Sequence, residues 1–297
     1  MSYRIKRKES VQHAVRRIAD EQLAKAVAEI DDPHRSRDSA VHQVRKRCKK
    51  LRGLLRMVRP AIGKTYAREN AILRDAARTI SSVRDAQSMI ATYDALMRHF
   101  ADQVHRPSFG GIRRELSLRR NAIDEGAAEQ RLLAVRETLL EMKGRAEDWT
   151  LREKGFDAIE GGIVKTRRRA VDRLADALDQ PETERLHEFR KRCKYQWYQM
   201  RLIQPVWPAM IDPLRKSFSE LGDLLGDDHD LAILCQTLDA SPEAFGSAED
   251  VQAAKGLIDQ RRQQLQRQSL TLGQFVLAES NQAFVDRMRL YWNLWRS

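Results

Sequence analysis

Residues 41–60 read VHQVRKRCKKLRGLLRMVRP, and residues 186–205 read LHEFRKRCKYQWYQMRLIQP. His42 aligns with His187, Arg45-Lys46-Arg47-Cys48-Lys49 with Arg190-Lys191-Arg192-Cys193-Lys194, and Pro60 with Pro205, all at an offset of 145. A second match shares that register: Ser82-Val83-Arg84-Asp85 against Asp227-Asp228-His229-Asp230, with Asp85 and Asp230 in common. Two matches at one offset, with no insertion between them, mark an internal duplication. On a wheel of about 100° per residue, His42, Arg45, Lys46, Lys49, Arg52 and Arg56 share an arc of roughly 120°. Val44, Cys48, Leu51, Leu55 and Val58 fall opposite, as a core stripe does. Residues 41–60 hold eight Lys or Arg and no Asp or Glu. Like charges at i,i+3 or i,i+4 cost about 0.2–0.5 kcal/mol per pair. A repeated, unmixed cationic face therefore points to an anionic ligand.

Outward from these stretches, nearly every segment has helical period and no alternating strand stands out. Helices are predicted near 9–30, 37–59, 62–82, 85–105 and 111–143, then near 156–179, 183–204, 211–225, 229–239, 248–279 and 280–295. The eight prolines fall where helices should start or stop, and Gly110-Gly111 and Gly161-Gly162 read as breaks. The expected fold is all-α, two pseudo-symmetric four-helix bundles. The N-terminal bundle covers 1–150, and the C-terminal bundle with a final helix covers 151–297. At 297 residues and 42% hydrophobic the chain can bury a core, which excludes wholesale disorder. The net charge of +12 again asks for an anionic partner. No stretch approaches the ~20 apolar residues of a membrane span, and MSYRIKRKES lacks the apolar core of a signal peptide. Cys48, Cys193 and Cys235 show no metal-ligand spacing, so free thiols in a reducing cytoplasm are expected.

In the second copy His187, Arg190, Lys191, Lys194 and Arg201 repeat the cationic face, while Trp197 and Tyr198 replace Arg52 and Gly53. These aromatics either pack between the lobes or stack on a nucleobase, which keeps nucleic acid as the second choice of partner. Surrounding Lys and Arg should depress the pKa of both histidines, so His42 and His187 are read as neutral hydrogen-bond donors rather than general bases. Asp227, Asp228, His229 and Asp230 could hold Mg²⁺ or Mn²⁺, but only Asp85 and Asp230 persist in both copies. After Leu224-Leu225-Gly226 they also suit a helix N-cap and first turn, with Asp85 and Asp230 orienting a basic residue of a neighbouring helix. No metal site is assigned and no cofactor is expected. There is no P-loop and no convincing nucleophile–base arrangement, so the chain is not expected to be an enzyme. A metal-dependent phosphate-processing enzyme resting on that acidic cluster is the more distant alternative. The closing stretch RMRLYWNLWRS (287–297) is expected to pack back on the second bundle.

The duplicated basic helix, the downstream Asp element of each half, and the opening segment ESVQHAVRRIADEQL (9–23) together resemble the conserved histidine α-helical domain (CHAD) family, over roughly residues 5–275. The resemblance implies paired four-helix bundles with a basic groove or pore near the pseudo-two-fold axis. It implies binding of inorganic polyphosphate, often on polyphosphate granules. The binding set it implies is His42, Arg45, Lys46, Lys49, Arg52, Arg56, His187, Arg190, Lys191, Lys194 and Arg201, with Arg17, Arg168 and Arg169 as weaker additions. The ExExK strand of the triphosphatase domain in some relatives is absent from this sequence, so that activity is not implied.

Overall fold

The computed structural model describes residues 3–103, 109–122 and 125–297, except for the side chains of residues 82–85, 125, 127 and 128. In chain order the helices are α1 (Val11–Asp31), α2 (Arg37–Met57), α3 (Arg59–Ile62), α4 (Thr65–Thr79), α5 (Ser82–His99) and α6 (Gly110–Asn121). They continue as α7 (Glu125–Ala146), α8 (Asp157–Asp179), α9 (Thr183–Ile203), α10 (Pro208–Ala240), α11 (Ala248–Leu277) and α12 (Asn281–Arg296). No strand occurs among the described residues, so the fold is all-α. Serine side chains cap four starts: Ser10, Ser36, Ser247 and Ser280 accept from the backbone N–H three residues on.

The predicted stripe of α2 is the core: Val44, Cys48, Leu51, Leu55 and Val58 are all buried. The larger hydrophobic core draws on residues from Tyr3 to Trp292 and so from both halves of the sequence. A smaller one joins α5 and α6 to the distal part of α10 and to α11. Trp292 is buried against Phe156, with ring centroids 6.1 Å apart, so α12 packs back on the second half as expected. Burial pushes the Cys48 thiol up to about 12 and raises that of Cys193; both are free, as is the half-buried Cys235.

Several predicted helix boundaries turn out differently. Gly161 and Gly162 lie inside α8. A Cβ at Gly162 would overlap the Met57 carbonyl oxygen, and one at Gly161 would come within 2.8 Å of Pro60. The glycines bring α8 onto the end of α2; they do not end a helix. The segment 211–239 is one helix, α10, which starts at Pro208 and carries Pro213 inside it. At Gly222 an added Cβ would sit 2.8 Å from Lys194, and at Gly226 2.9 Å from Arg190. Those glycines accept cations from α9, and the helix runs through them. The predicted helix 111–143 is instead α6 and α7, with Ala122 ending α6, and α3 is an additional short helix after α2.

The acidic cluster is accordingly mid-helix in α10, and no N-cap is formed there. Among the described residues it is Asp228, not Asp230, that holds the basic partner: its buried Oδ1 accepts from Arg262 Nε at 3.0 Å and Gln266 Nε2 at 2.9 Å, both on α11. Asp85 lies outside the described side chains. Breaking a buried pair from one side strands the other charge. Asp228→Ala should therefore lower stability by about 3–5 kcal/mol in urea unfolding, and a loss under 1 kcal/mol would contradict this role.

α2 and α9 cross with a particular register. A Cβ on Gly53 would approach Tyr198 Cβ to 2.7 Å, and 53 and 198 are themselves 145 positions apart. Tyr198 is buried there, edge-on to Tyr3 at 6.2 Å.

Candidate anion-binding site

Along α2, Lys46 and Lys49 are exposed, while His42, Arg45, Arg52 and Arg56 are half-buried. Arg45 Nη1 donates to the Ala77 carbonyl of α4 at 2.6 Å. Its counterpart Arg190 donates through Nε to the Gly222 carbonyl of α10 at 3.3 Å, and Ala77 and Gly222 also stand 145 residues apart. The repeat thus builds the same helix-to-helix contact twice. Arg52 Nε reaches Asn70 Oδ1 at 3.2 Å. Arg56 donates to the Arg52 carbonyl at 3.0 Å and lies 3.8 Å over the Tyr195 ring of α9.

At the end of α2 a cleft opens between α2, α3, α8 and α9. Arg56, Arg59, Lys165, Arg169 and Arg192 converge there around Gly162, Thr166 and Tyr195, and among the described residues no carboxylate lines it. Local sequence explains each position. α2 ends at Met57, Val58 leaves helical geometry, and Pro60 opens α3 in a new direction that swings Arg59 to the cleft. Lys165 and Arg169 are i,i+4 on α8, and Arg192 and Tyr195 are i,i+3 on α9, so each pair shares a face. Gly162 lets α8 come close enough to complete the wall.

The cluster is electrostatically unsatisfied. Repulsion from Arg59, then burial, then Arg169 and Arg168 lower the pKa of Lys165. Burial, followed by Arg192 and Arg59, lowers that of Arg169. Burial also lowers Arg56, with Arg52 and Arg192 adding to it and Tyr195 and Tyr66 opposing it. Arg59 lies 4.4 Å over Tyr66 as Arg56 lies over Tyr195. A ring face offsets part of the repulsion without consuming guanidinium N–H donors. Arg59, Lys165 and Arg169 keep donors for a multidentate oxyanion, while Arg192 already pairs with Glu188 at 2.9 Å and Arg56 gives one N–H to the Arg52 carbonyl.

Of the positions expected from the sequence, the cleft brings together only Arg56 and Arg169. Arg168 is exposed beside it. Arg17 is held by Glu9 at 2.6 Å and Glu21 at 3.0 Å. On α9 the cations are already engaged. Lys191 and Arg192 pair with Glu188, and Lys194 with Asp223 at 2.8 Å. The first half has Gln43 and Arg78 at the positions of Glu188 and Asp223. The two acids that pair with cations on the second face therefore have no acidic counterpart at the equivalent positions of the first. Arg59, Lys165 and Arg192 escape a wheel centred on His42, although the i,i+4 spacing of Lys165 and Arg169 is a signal.

His187 behaves as the neutral imidazole expected, for a different leading reason. Burial first, then the stacked His229 ring at 4.1 Å, then Lys191 and Arg190 push it down to about 4. Burial also raises the Asp227 carboxyl, with Asp230 adding to it. Among the described residues no group of three or more His, Cys, Asp or Glu is placed to hold a metal ion. None of the described helices is long and apolar enough to cross a membrane.

The CHAD-domain family profile matches residues 17–239 of the chain. The crystal structure of the CHAD domain from the plant Ricinus communis superposes with a TM-score of 0.62 at 15% identity, covering 91% of each chain. No curated protein sequence matches.

Proposed function

This chain belongs to the CHAD-domain family, and from that premise we propose that it binds inorganic polyphosphate without transforming it, on the α2 face and in the cleft at its end. The convergence of Arg56, Arg59, Lys165, Arg169 and Arg192 with no lining carboxylate among the described residues carries the reading. Polyphosphate bears about one charge per phosphate and no base, so it needs dense cationic donors and little else. His42, Arg45, Lys46, Lys49 and Arg52 form the approach along α2. His187, Arg190, Lys191, Lys194 and Arg201, with Arg17 and Arg168, contribute less, because Glu188 and Asp223 hold Lys191 and Lys194, and Glu9 and Glu21 hold Arg17.

The same reading makes the chain two four-helix halves, 1–150 and 151–297, about a pseudo-two-fold axis. The meeting of Gly53 with its own counterpart Tyr198 and the paired Arg45 and Arg190 contacts support this. Cytoplasmic residence on polyphosphate granules is the setting it implies. Nucleic acid is less well served. Tyr198 is buried, and Trp197 is half-buried with Arg201 5.5 Å and Lys194 5.9 Å from its ring. The deciding experiment is competition at equal phosphate concentration. Polyphosphate should displace labelled duplex DNA, with affinity falling as salt rises, and DNA prevailing over polyphosphate would sink the proposal.

A further inference from the structure

The cleft at the end of α2 is small and blind. Its enclosed volume is about 20 Å³, room for roughly one water-sized group. Gly162 and Thr166 are buried and form its floor. Thr166 Oγ1 donates to the Gly162 carbonyl at 2.8 Å and accepts from Nε2 of the wholly buried Gln199 at 2.9 Å. Gly162 itself lies against the Met57 backbone, so nothing passes between α8 and α2. A chain can enter such a cleft by its end but cannot run through it. The two kinds of phosphate in a linear chain also differ. An internal phosphate carries about one charge on two free oxygens, whereas a terminal one, like a phosphomonoester, carries about 1.5–2 charges on three. Arg59 on α3 and Lys165 and Arg169 on α8 approach from two sides, beside Arg56 and Arg192. That density of donors matches the terminal group better than the internal one.

The duplication supplies one such cleft and not two. At 145 positions away, Lys165 and Thr166 have Asp20 and Glu21 as counterparts, and Arg169 and Arg59 have Ala24 and Gln204. Arg17 stands in the place of Gly162, held by Glu9 and Glu21. The segment before α1 covers the same place. Tyr3 donates its hydroxyl to the Lys50 carbonyl of α2 at 2.7 Å, and the Ile5 N–H donates to the Leu202 carbonyl of α9 at 2.9 Å. Arg17 of α1 donates to the Arg4 carbonyl at 2.9 Å. A surface that gripped a long anion evenly would keep matched seats in both halves. A single blind seat suits a chain end.

We infer that the cleft recognises the end of the polyphosphate chain: it seats the terminal phosphate, with Arg59, Lys165 and Arg169 as donors to its free oxygens, while the following phosphates lead out over the exposed cations of α2. The identity of the chain rests on the proposed function; what is added is that this site counts ends and not phosphates. At equal total phosphate, short chains therefore occupy the cleft more fully than long ones.

The test compares two anions by calorimetry on the full chain. Monomethyl triphosphate has one free end and cyclic tetrametaphosphate has none, and above neutral pH the two carry the same charge. The same pair is titrated into an Arg59→Gln, Arg169→Gln protein, whose altered residues both lie outside the core. The open chain should bind at least about tenfold more tightly than the ring, the contribution of one charge-assisted hydrogen bond, and the double variant should abolish the preference. Equal affinity for the ring overturns the inference, and so does a preference that survives in the double variant. If the ring matches the open chain while long polyphosphate still displaces duplex DNA, end recognition falls and the proposed function stands. If long polyphosphate fails to displace DNA while the open chain keeps its preference, the proposed function falls and the terminal-phosphate seat stands.

Discussion

Reversing Arg59, Lys165 and Arg169 together to glutamate should weaken polyphosphate binding at least about 100-fold while leaving the protein folded. None of the three is in the core. Lys165 and Arg169 are held in a charged state that their cationic neighbours disfavour, so reversal removes repulsion and should leave the melting temperature unchanged or raised. Charged hydrogen bonds contribute about 1.5–3 kcal/mol each, and reversal adds repulsion of the ligand to their loss. Anisotropy of labelled polyphosphate over a salt series gives a second readout. The slope of log affinity against log salt should fall by about 2, from roughly 0.7 per phosphate contact removed. Reversing the exposed Lys46 and Lys49 should cost several-fold less. Wild-type binding by the triple variant would show that the cleft is not the site.

Gly162→Val should lower the stability of the whole fold by about 3 kcal/mol or more, at the upper end of overpacking effects. The atom in the way is the Met57 carbonyl oxygen, a backbone group that cannot rotate aside. The helices must then move apart, and Arg56 loses its place over Tyr195 as α8 withdraws. Urea denaturation measures the loss. Polyphosphate affinity should drop in the same protein under conditions where it remains folded, because the wall carrying Lys165 and Arg169 no longer closes. A variant as stable as the parent would mean that α8 and α2 do not need this approach.

The α2 helix is legible from sequence because its apolar stripe and its charges separate cleanly on one wheel, and every predicted core residue of that stripe is buried. α10 is not, because Gly226 followed by Asp227 and Asp228 looks locally like a helix stop and a new N-cap, although Gly222 and Gly226 both lie inside the helix. Their purpose, room for Lys194 and Arg190, exists only once α9 is alongside. The same holds for Gly161 and Gly162. Arg56 and Arg169 could be named in advance; Arg59 could not, since the wheel assumes a helix that in fact turns at Val58. Lys165 and Arg192 come to the cleft from separate helices, a meeting no spacing encodes. The pairing of Lys194 with Asp223 is likewise tertiary, because the two lie on different helices, whereas Glu188 stands i,i+3 from Lys191 and i,i+4 from Arg192 on α9 itself. Charge counting along α9 alone therefore overstates its free positive charge.

The meeting of Gly53 and Tyr198 has a consequence for how such a molecule can change over time. In a symmetric homodimer, the residue on the two-fold axis faces a second copy of itself, so one side chain must suit both sides. Two tyrosines at this crossing would collide, and two glycines would leave a hole. On the two-fold reading, joining both halves in one chain lifts that restriction. Each position can mutate alone, and a bulky ring can be fitted against the absence of one. The most crowded point of the crossing is thus where the two copies were freest to become different.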